Sequence, residues 1–154
     1  MYLVDTNVVS EARRGRREAV AWLRSVDPRA VYLSALTLGE IMRGVALKQK
    51  SDPATASRLA EWLQKLRHDH ADRILAVTGP IALEWGRIAA LRPRGDVDGL
   101  IAATAIVHDL ILVTRNVGDF HDTRVSILNP WTSNERRDGN RPRSREDRSP
   151  HQKP

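Results

Sequence analysis

Five short apolar stretches alternate along this chain with segments whose hydrophobic residues recur every three or four positions, and that alternation restricts the fold more than any other feature. Residues 2–4, 31–33, 74–77, 110–113 and 125–128 predict strands. Amphipathic patterns over 18–26, 36–50, 54–68, 81–91 and 100–108 predict helices, with Pro53, Pro80 and Pro93 at helix edges. The strands have no consistently polar face. Strands buried on both sides, with helices between them, predict an α/β fold: three layers, with a central parallel β-sheet flanked by helices. No internal repeat interrupts this order.

The length of 154 residues suits one domain. Cysteine is absent, which excludes disulfides, thiolate metal sites and a cysteine nucleophile, so any metal must bind oxygen or imidazole. The balance of 25 Lys and Arg against 19 Asp and Glu is uneven along the chain. Residues 133–154 contain seven basic and four acidic residues, three prolines and no apolar side chain. Such a segment cannot offset its ordering entropy by burial, which predicts a disordered charged C-terminal tail after a domain at 1–132. Residues 1–132 have 18 basic and 15 acidic residues, so the domain itself is only mildly basic. No basic leader precedes an apolar run, and no window reaches about 18 uninterrupted apolar residues. A soluble, cytoplasmic protein is expected, with no membrane association.

Open parallel sheets bind ligands at the carboxyl ends of their strands. Asp5 directly follows the first predicted strand, and Glu40 lies shortly after the second. Asp98 precedes the last long helix, and Asp119 follows the fourth strand within Thr114-Arg115-Asn116-Val117-Gly118-Asp119-Phe120. Each acid has an ordinary reading. Asp5 is placed to cap a helix, and Thr37-Leu38-Gly39-Glu40 matches a capping box. Asp96 and Asp98 are both placed to cap the helix near Leu100, and Asp119 follows a turn glycine. Together, however, four carboxylates near one sheet edge repel one another unless a cation lies between them. Mg²⁺ or Mn²⁺ fits, because these hard ions take oxygen ligands, keep several waters and pair with substrate phosphates.

The ordered segments Leu3-Val4-Asp5-Thr6-Asn7-Val8, Ser34 to Ile41 around Glu40, Asp98-Gly99-Leu100-Ile101-Ala102-Ala103-Thr104-Ala105, and 114–120 carry a resemblance. Over residues 1–131 the chain resembles a PIN-domain ribonuclease, and in particular a VapC-type (FitB-like) toxin of a bacterial type II toxin–antitoxin pair. The resemblance implies a PIN-like fold and a Mg²⁺-dependent endoribonuclease, with Mn²⁺ as a possible substitute. It implies metal-binding and catalytic roles for Asp5, Glu40, Asp98 and Asp119, with support from Thr114 and Asn116. Asp5 and Asp98 would be direct ligands, Glu40 would act directly or through water, and Asn116 competes with Asp119 for the last place. The implied partners are an RNA substrate, a second copy in a homodimer, and a cognate antitoxin, with operator DNA reached only through that antitoxin.

Other residues have plainer readings. His68 and His70 are two apart on a predicted helix and point in different directions, and His121 reads as a solvated loop residue. Trp22, Trp62, Trp85 and Trp131 read as core, with Trp62 and Trp85 also placed to line a partner groove. Arg13, Arg14, Arg16 and Arg17 are either a solvated face or a contact for an RNA backbone. Two rival phosphoryl chemistries lack a required residue. A haloacid-dehalogenase-like enzyme needs a second Asp where Asn7 stands, and a phosphoreceiver needs a lysine after its last strand, where Asn129 and Pro130 stand. The remaining alternative is a PIN-like RNA- or protein-binding module with catalysis secondary or lost.

Overall fold

The computed structural model describes residues 1–132. The C-terminal tail expected from composition lies outside the described residues. Five parallel strands, β1 (Tyr2–Val4), β2 (Val31–Ser34), β3 (Ile74–Leu75), β4 (Ile111–Val113) and β5 (Ile127–Leu128), form one sheet in the order β3-β2-β1-β4-β5. The chain builds outward from β1 to β3, then returns to the other side of β1 for β4 and β5. The order therefore reverses between β1 and β4, where an open parallel sheet forms its ligand crevice.

Both sheet faces are buried, as the apolar strands predict. Leu3 and Leu112 point to one side and join Ile81, Ile88, Ile101, Ala102, Ala103 and Phe120. Their neighbours Val4 and Val113 point to the other side and join Val8, Val9, Ala19 and Leu33. This strict alternation between two cores is the period-2 geometry of a strand covered on both sides. Helices α5 (Gly79–Ala89) and α6 (Asp96–Val107) contribute to the first layer, α1 (Thr6–Arg13) and α2 (Arg17–Ser25) to the second. Helices α3 (Ala35–Ser51) and α4 (Pro53–Asp69) pack against each other, separated by the single residue Asp52.

Three local differences from the sequence reading have physical causes. Helix α1 was signalled only by Asp5 as a cap and not by periodicity, because its eight residues offer only the adjacent Val8 and Val9 as buried positions, too few for a helical period. Helix α6 begins at Asp96, four residues before the apolar run, because its first turn carries the solvated Asp96 and the functional candidate Asp98. Strand β3 ends at Leu75, after which Ala76 and Val77 are exposed and unpaired in the sheet.

Candidate active site

Asp5 stands at the junction of β1 and α1, at the reversal of strand order. Its backbone is extended (φ −67°, ψ 150°), as at a helix N-cap, yet its side chain makes no capping bond. The carboxylate turns instead toward β4. Thr114 Oγ1 donates to Asp5 Oδ2 at 2.7 Å, and Asn7 Nδ2 donates to the same oxygen at 2.8 Å. Thr114 is fully buried directly after β4, and its hydroxyl also accepts from Asn116 N at 3.0 Å and Asn7 Nδ2 at 3.2 Å. Every hydrogen-bonding position of that hydroxyl is used, which fixes the orientation of Asp5. Asp5 is 5% exposed, and burial pushes its pKa from 3.8 up to about 6. The Thr114 hydrogen bond opposes that rise, while the nearby charges of Asp98 and Glu40 add to it.

Glu40 is not part of a capping box. The N-cap of α3 is Ser34, whose hydroxyl accepts from Leu36 N at 3.2 Å, and Thr37 is buried inside the helix. One turn further on, Glu40 Oε2 accepts a short hydrogen bond from Thr6 Oγ1, which also lies 3.1 Å from the Thr37 hydroxyl. Thr6 thus ties α3 to the start of α1 beside Asp5. Asp98 is half-buried in the first turn of α6. Burial raises its pKa, the charges of Asp119 and Glu40 raise it further, and Arg94 opposes them. A Cβ at Gly95 would lie 3.2 Å from Asp98 Oδ2, so the glycine leaves that carboxylate its space.

Asp119 closes the exposed turn Val117–Asp119, close enough to Asp98 for its charge to be felt there. Asn116 precedes the turn and is tied to the site through its backbone amide on Thr114, while its side chain makes no capping bond. Asp96 is exposed and does not figure among the charges that act on Asp5 or Asp98.

Four of the acids read from the sequence therefore act on one another electrostatically, and none forms an ion pair with Lys, Arg or His among the described residues. Among those residues, no three Asp, Glu or His side chains converge closely enough to hold an ion by themselves. The side chains gathered around Asp5 offer carboxylate, hydroxyl and amide oxygens, the ligand chemistry of a hard cation.

Sequence reasoning overlooked Thr6 and Asn7, although both stand in the Asp-Thr-Asn run after β1. The histidines lie apart from the acids in their bonding: His70 Nδ1 is 3.1 Å from Leu66 O, and His121 Nδ1 is 2.6 Å from Gly118 O. Arg13 stacks over Trp62 and Arg115 over Trp131, each 5.3 Å from the ring centroid, while Arg14 and Arg16 pair with Glu11.

Residues 2–125 match the PIN domain family. The chain belongs to that family. It is 38% identical over 140 residues to the toxin FitB of Neisseria gonorrhoeae, covering 85% of this chain and 99% of that one. It is 29% identical over 147 residues to the VapC ribonuclease Y4jK of Sinorhizobium fredii, covering 85% and 98% respectively. Its fold superposes on the crystal structure of FitAcB from Neisseria gonorrhoeae with a TM-score of 0.78 at 38% identity, over 86% of this chain and 99% of that one. Within the matched residues, Asp5 stands at the strand-order reversal of this chain's sheet, with Glu40, Asp98 and Asp119 acting on it or on one another.

Proposed function

We propose that this protein is a Mg²⁺-dependent endoribonuclease that hydrolyses RNA phosphodiester bonds, with Mn²⁺ as a substitute, and that it is the toxin of a toxin–antitoxin pair. The observation that carries this reading is Asp5: a buried carboxylate, released from capping, oriented by Thr114 and Asn7, and surrounded by like charges with no ion pair. A structural acid in that position would be paired or replaced by an apolar residue, because an unpaired buried charge is costly.

A divalent ion supplies a more acidic water and neutralises charge on the phosphodiester. Asp5 and Asp98 would hold it directly, and Glu40 and Asp119 would complete the site directly or through water. Thr114 and Asn7 keep Asp5 Oδ2 oriented, and Thr6 steadies Glu40. Asn116, bound through its amide to Thr114, fixes the start of the loop that bears Asp119.

The similarity to the toxin FitB, and to FitAB bound to a DNA fragment, supports a cognate antitoxin as partner; operator DNA would be reached only through that antitoxin. Exposed Met42 and Leu47 on α3 and Leu83 on α5 offer apolar surface for a homodimer or for the antitoxin. The site of action is the cytoplasm, where RNA substrate resides; no described helix is long and apolar enough to cross a membrane. The test is incubation of the full chain with total RNA and Mg²⁺, followed by sequencing of the new ends. Recurrent Mg²⁺-dependent ends support the reading, whereas RNA bound but left intact favours a binding module.

A further inference from the structure

We propose that Arg94 is a positioning residue: through Asp119 O and Asp122 it clamps the loop that carries Asp119 against the start of α6, setting the separation between Asp119 and Asp98. The inference rests on the nuclease reading above and adds to it a residue that touches neither substrate nor metal.

Arg94 lies two residues before α6, and its side chain is 3% exposed. Nη2 donates to Asp122 Oδ2 at 2.6 Å, and Nη1 donates to the backbone oxygen of Asp119 at 2.9 Å. Arg92 reinforces the same link, with Nε to Asp122 Oδ2 at 3.0 Å and Nη2 to Gly118 O at 2.9 Å. Two guanidinium groups thus hold consecutive carbonyls of one loop. The stem of Arg94 also runs beside Gly99, where an added Cβ would lie 3.5 Å from Arg94 Cδ. One side chain therefore bonds the backbone of Asp119 while its stem occupies the space that a side chain at Gly99, next to Asp98, would need.

The loop needs such a tie. Asp119 and its neighbours from Arg115 to Gly118 are exposed, and Phe120 is the buried side chain of this stretch. The charge of Asp119 is felt at Asp98, so the position of the loop bears directly on the Asp98 carboxylate. The clamp is also costly in a way that packing does not explain. Arg94 Nε and Asp122 Oδ1 are buried with no hydrogen-bond partner, and a buried ion pair is generally no more stabilising than well-packed apolar residues. Holding two like-charged ligands at a set distance is a reason to keep it.

The test is a Mn²⁺ titration of the full chain, followed by the electron paramagnetic resonance of free Mn²⁺, for the parent, Arg94→Met and Arg92→Met. Hydrogen exchange of the metal-free proteins is read at the amides of Asp119 and Phe120. Removing a positive charge that acts on Asp98 should by itself tighten cation binding. Loss of positioning does the opposite, so Arg94→Met is expected to bind Mn²⁺ about tenfold more weakly, the usual size of effect for residues that orient metal ligands. Its loop amides should exchange faster and kcat should fall, with KM for RNA nearly unchanged. If Arg94→Met does not fold, Arg92→Met, altered at a side chain 34% exposed, carries the same test. Mn²⁺ binding equal to or tighter than the parent's, with loop amides still protected, overturns the clamp. A parent that neither binds Mn²⁺ nor cuts RNA overturns the nuclease reading itself; a competent parent with unaltered variants overturns the clamp alone.

Discussion

Thr114 Oγ1 donates a 2.7 Å hydrogen bond to Asp5 Oδ2, joining the ends of two neighbouring parallel strands that are 109 residues apart in the chain. That contact fixes the carboxylate at the strand-order reversal, and it prevents Asp5 from serving as an ordinary helix cap. Thr114→Val keeps the volume and removes the donor. The variant is expected to lose about 2 kcal/mol in urea denaturation at pH 7, the range for a hydrogen bond to a charged group. RNA cleavage should fall at least about tenfold, as when a metal ligand loses its orienting partner, while Thr114→Ser retains most of both. A Thr114→Val protein as stable and active as the parent would show that the bond orients nothing.

The pH dependence of metal-free stability follows from Asp5. Its folded pKa of about 6 exceeds the ordinary 3.8, so the folded state binds more protons between these values and stability falls as pH rises through that window. Asp5 alone contributes a loss of about 2 kcal/mol between pH 4 and pH 7, an upper value because the site can relax. The caps Asp27 and Asp52 are held below the usual carboxylate range by hydrogen bonds from Arg29 and Thr55, so they lose their contribution only at lower pH. Urea denaturation from pH 4.5 to 7.5 is expected to show the falling slope in the parent, a smaller slope in Asp5→Asn, and a reduced slope in the parent with saturating Mg²⁺. Parallel slopes for parent and Asp5→Asn would contradict the burial of an unpaired carboxylate.

Packing between α5 and α6 makes a separate prediction. A Cβ at Gly99 would lie 2.9 Å from Trp85 Cδ1, closer than real contacts allow, and Asp98 is the adjacent residue. Gly99→Ala should therefore destabilise by about 2 kcal/mol through overpacking. Gly86, exposed inside α5 with nothing within 4 Å of an added Cβ, should instead gain about 0.5 to 1 kcal/mol on mutation to Ala. Thermal melts of the two variants should move in opposite directions.

Inhibition by an antitoxin has a simple electrostatic route. A basic side chain reaching Asp5, Glu40 and Asp98 would neutralise the same charge as a metal ion, so antitoxin segment and Mg²⁺ should compete. Calorimetric titration with saturating Mg²⁺ is expected to give weaker binding than without it. Equal affinity in both conditions would place the contact elsewhere.

The sheet and most residues of the candidate site were legible in the sequence because their signals are local. Apolar strands followed by Asp5 and Thr114 place both residues at strand ends whatever the loops do. Helix α1 left no periodic pattern beyond the cap signal of Asp5, because its buried face is two valines wide. The capping-box reading of Glu40 failed because Ser34 starts α3 three residues before Thr37, a boundary that composition leaves open. The link from Arg92 and Arg94 to Asp122 could not be read at all: it joins residues 28 to 30 apart through a loop with no repeating pattern. Thr6 and Asn7 were overlooked for a different reason, since their roles depend on where Glu40 and Thr114 arrive in space.

The central claim is that Asp5 holds a metal for RNA hydrolysis. Its most direct test is cleavage of RNA in Mg²⁺ by the parent and by Asp5→Asn, prepared side by side, with a chelator in a parallel reaction. The account predicts cleavage by the parent, its loss in the chelator, and an Asp5→Asn protein that is folded, at least as stable without metal, and inactive. Cleavage by Asp5→Asn at the parent's rate, or by the parent in excess chelator, would contradict it.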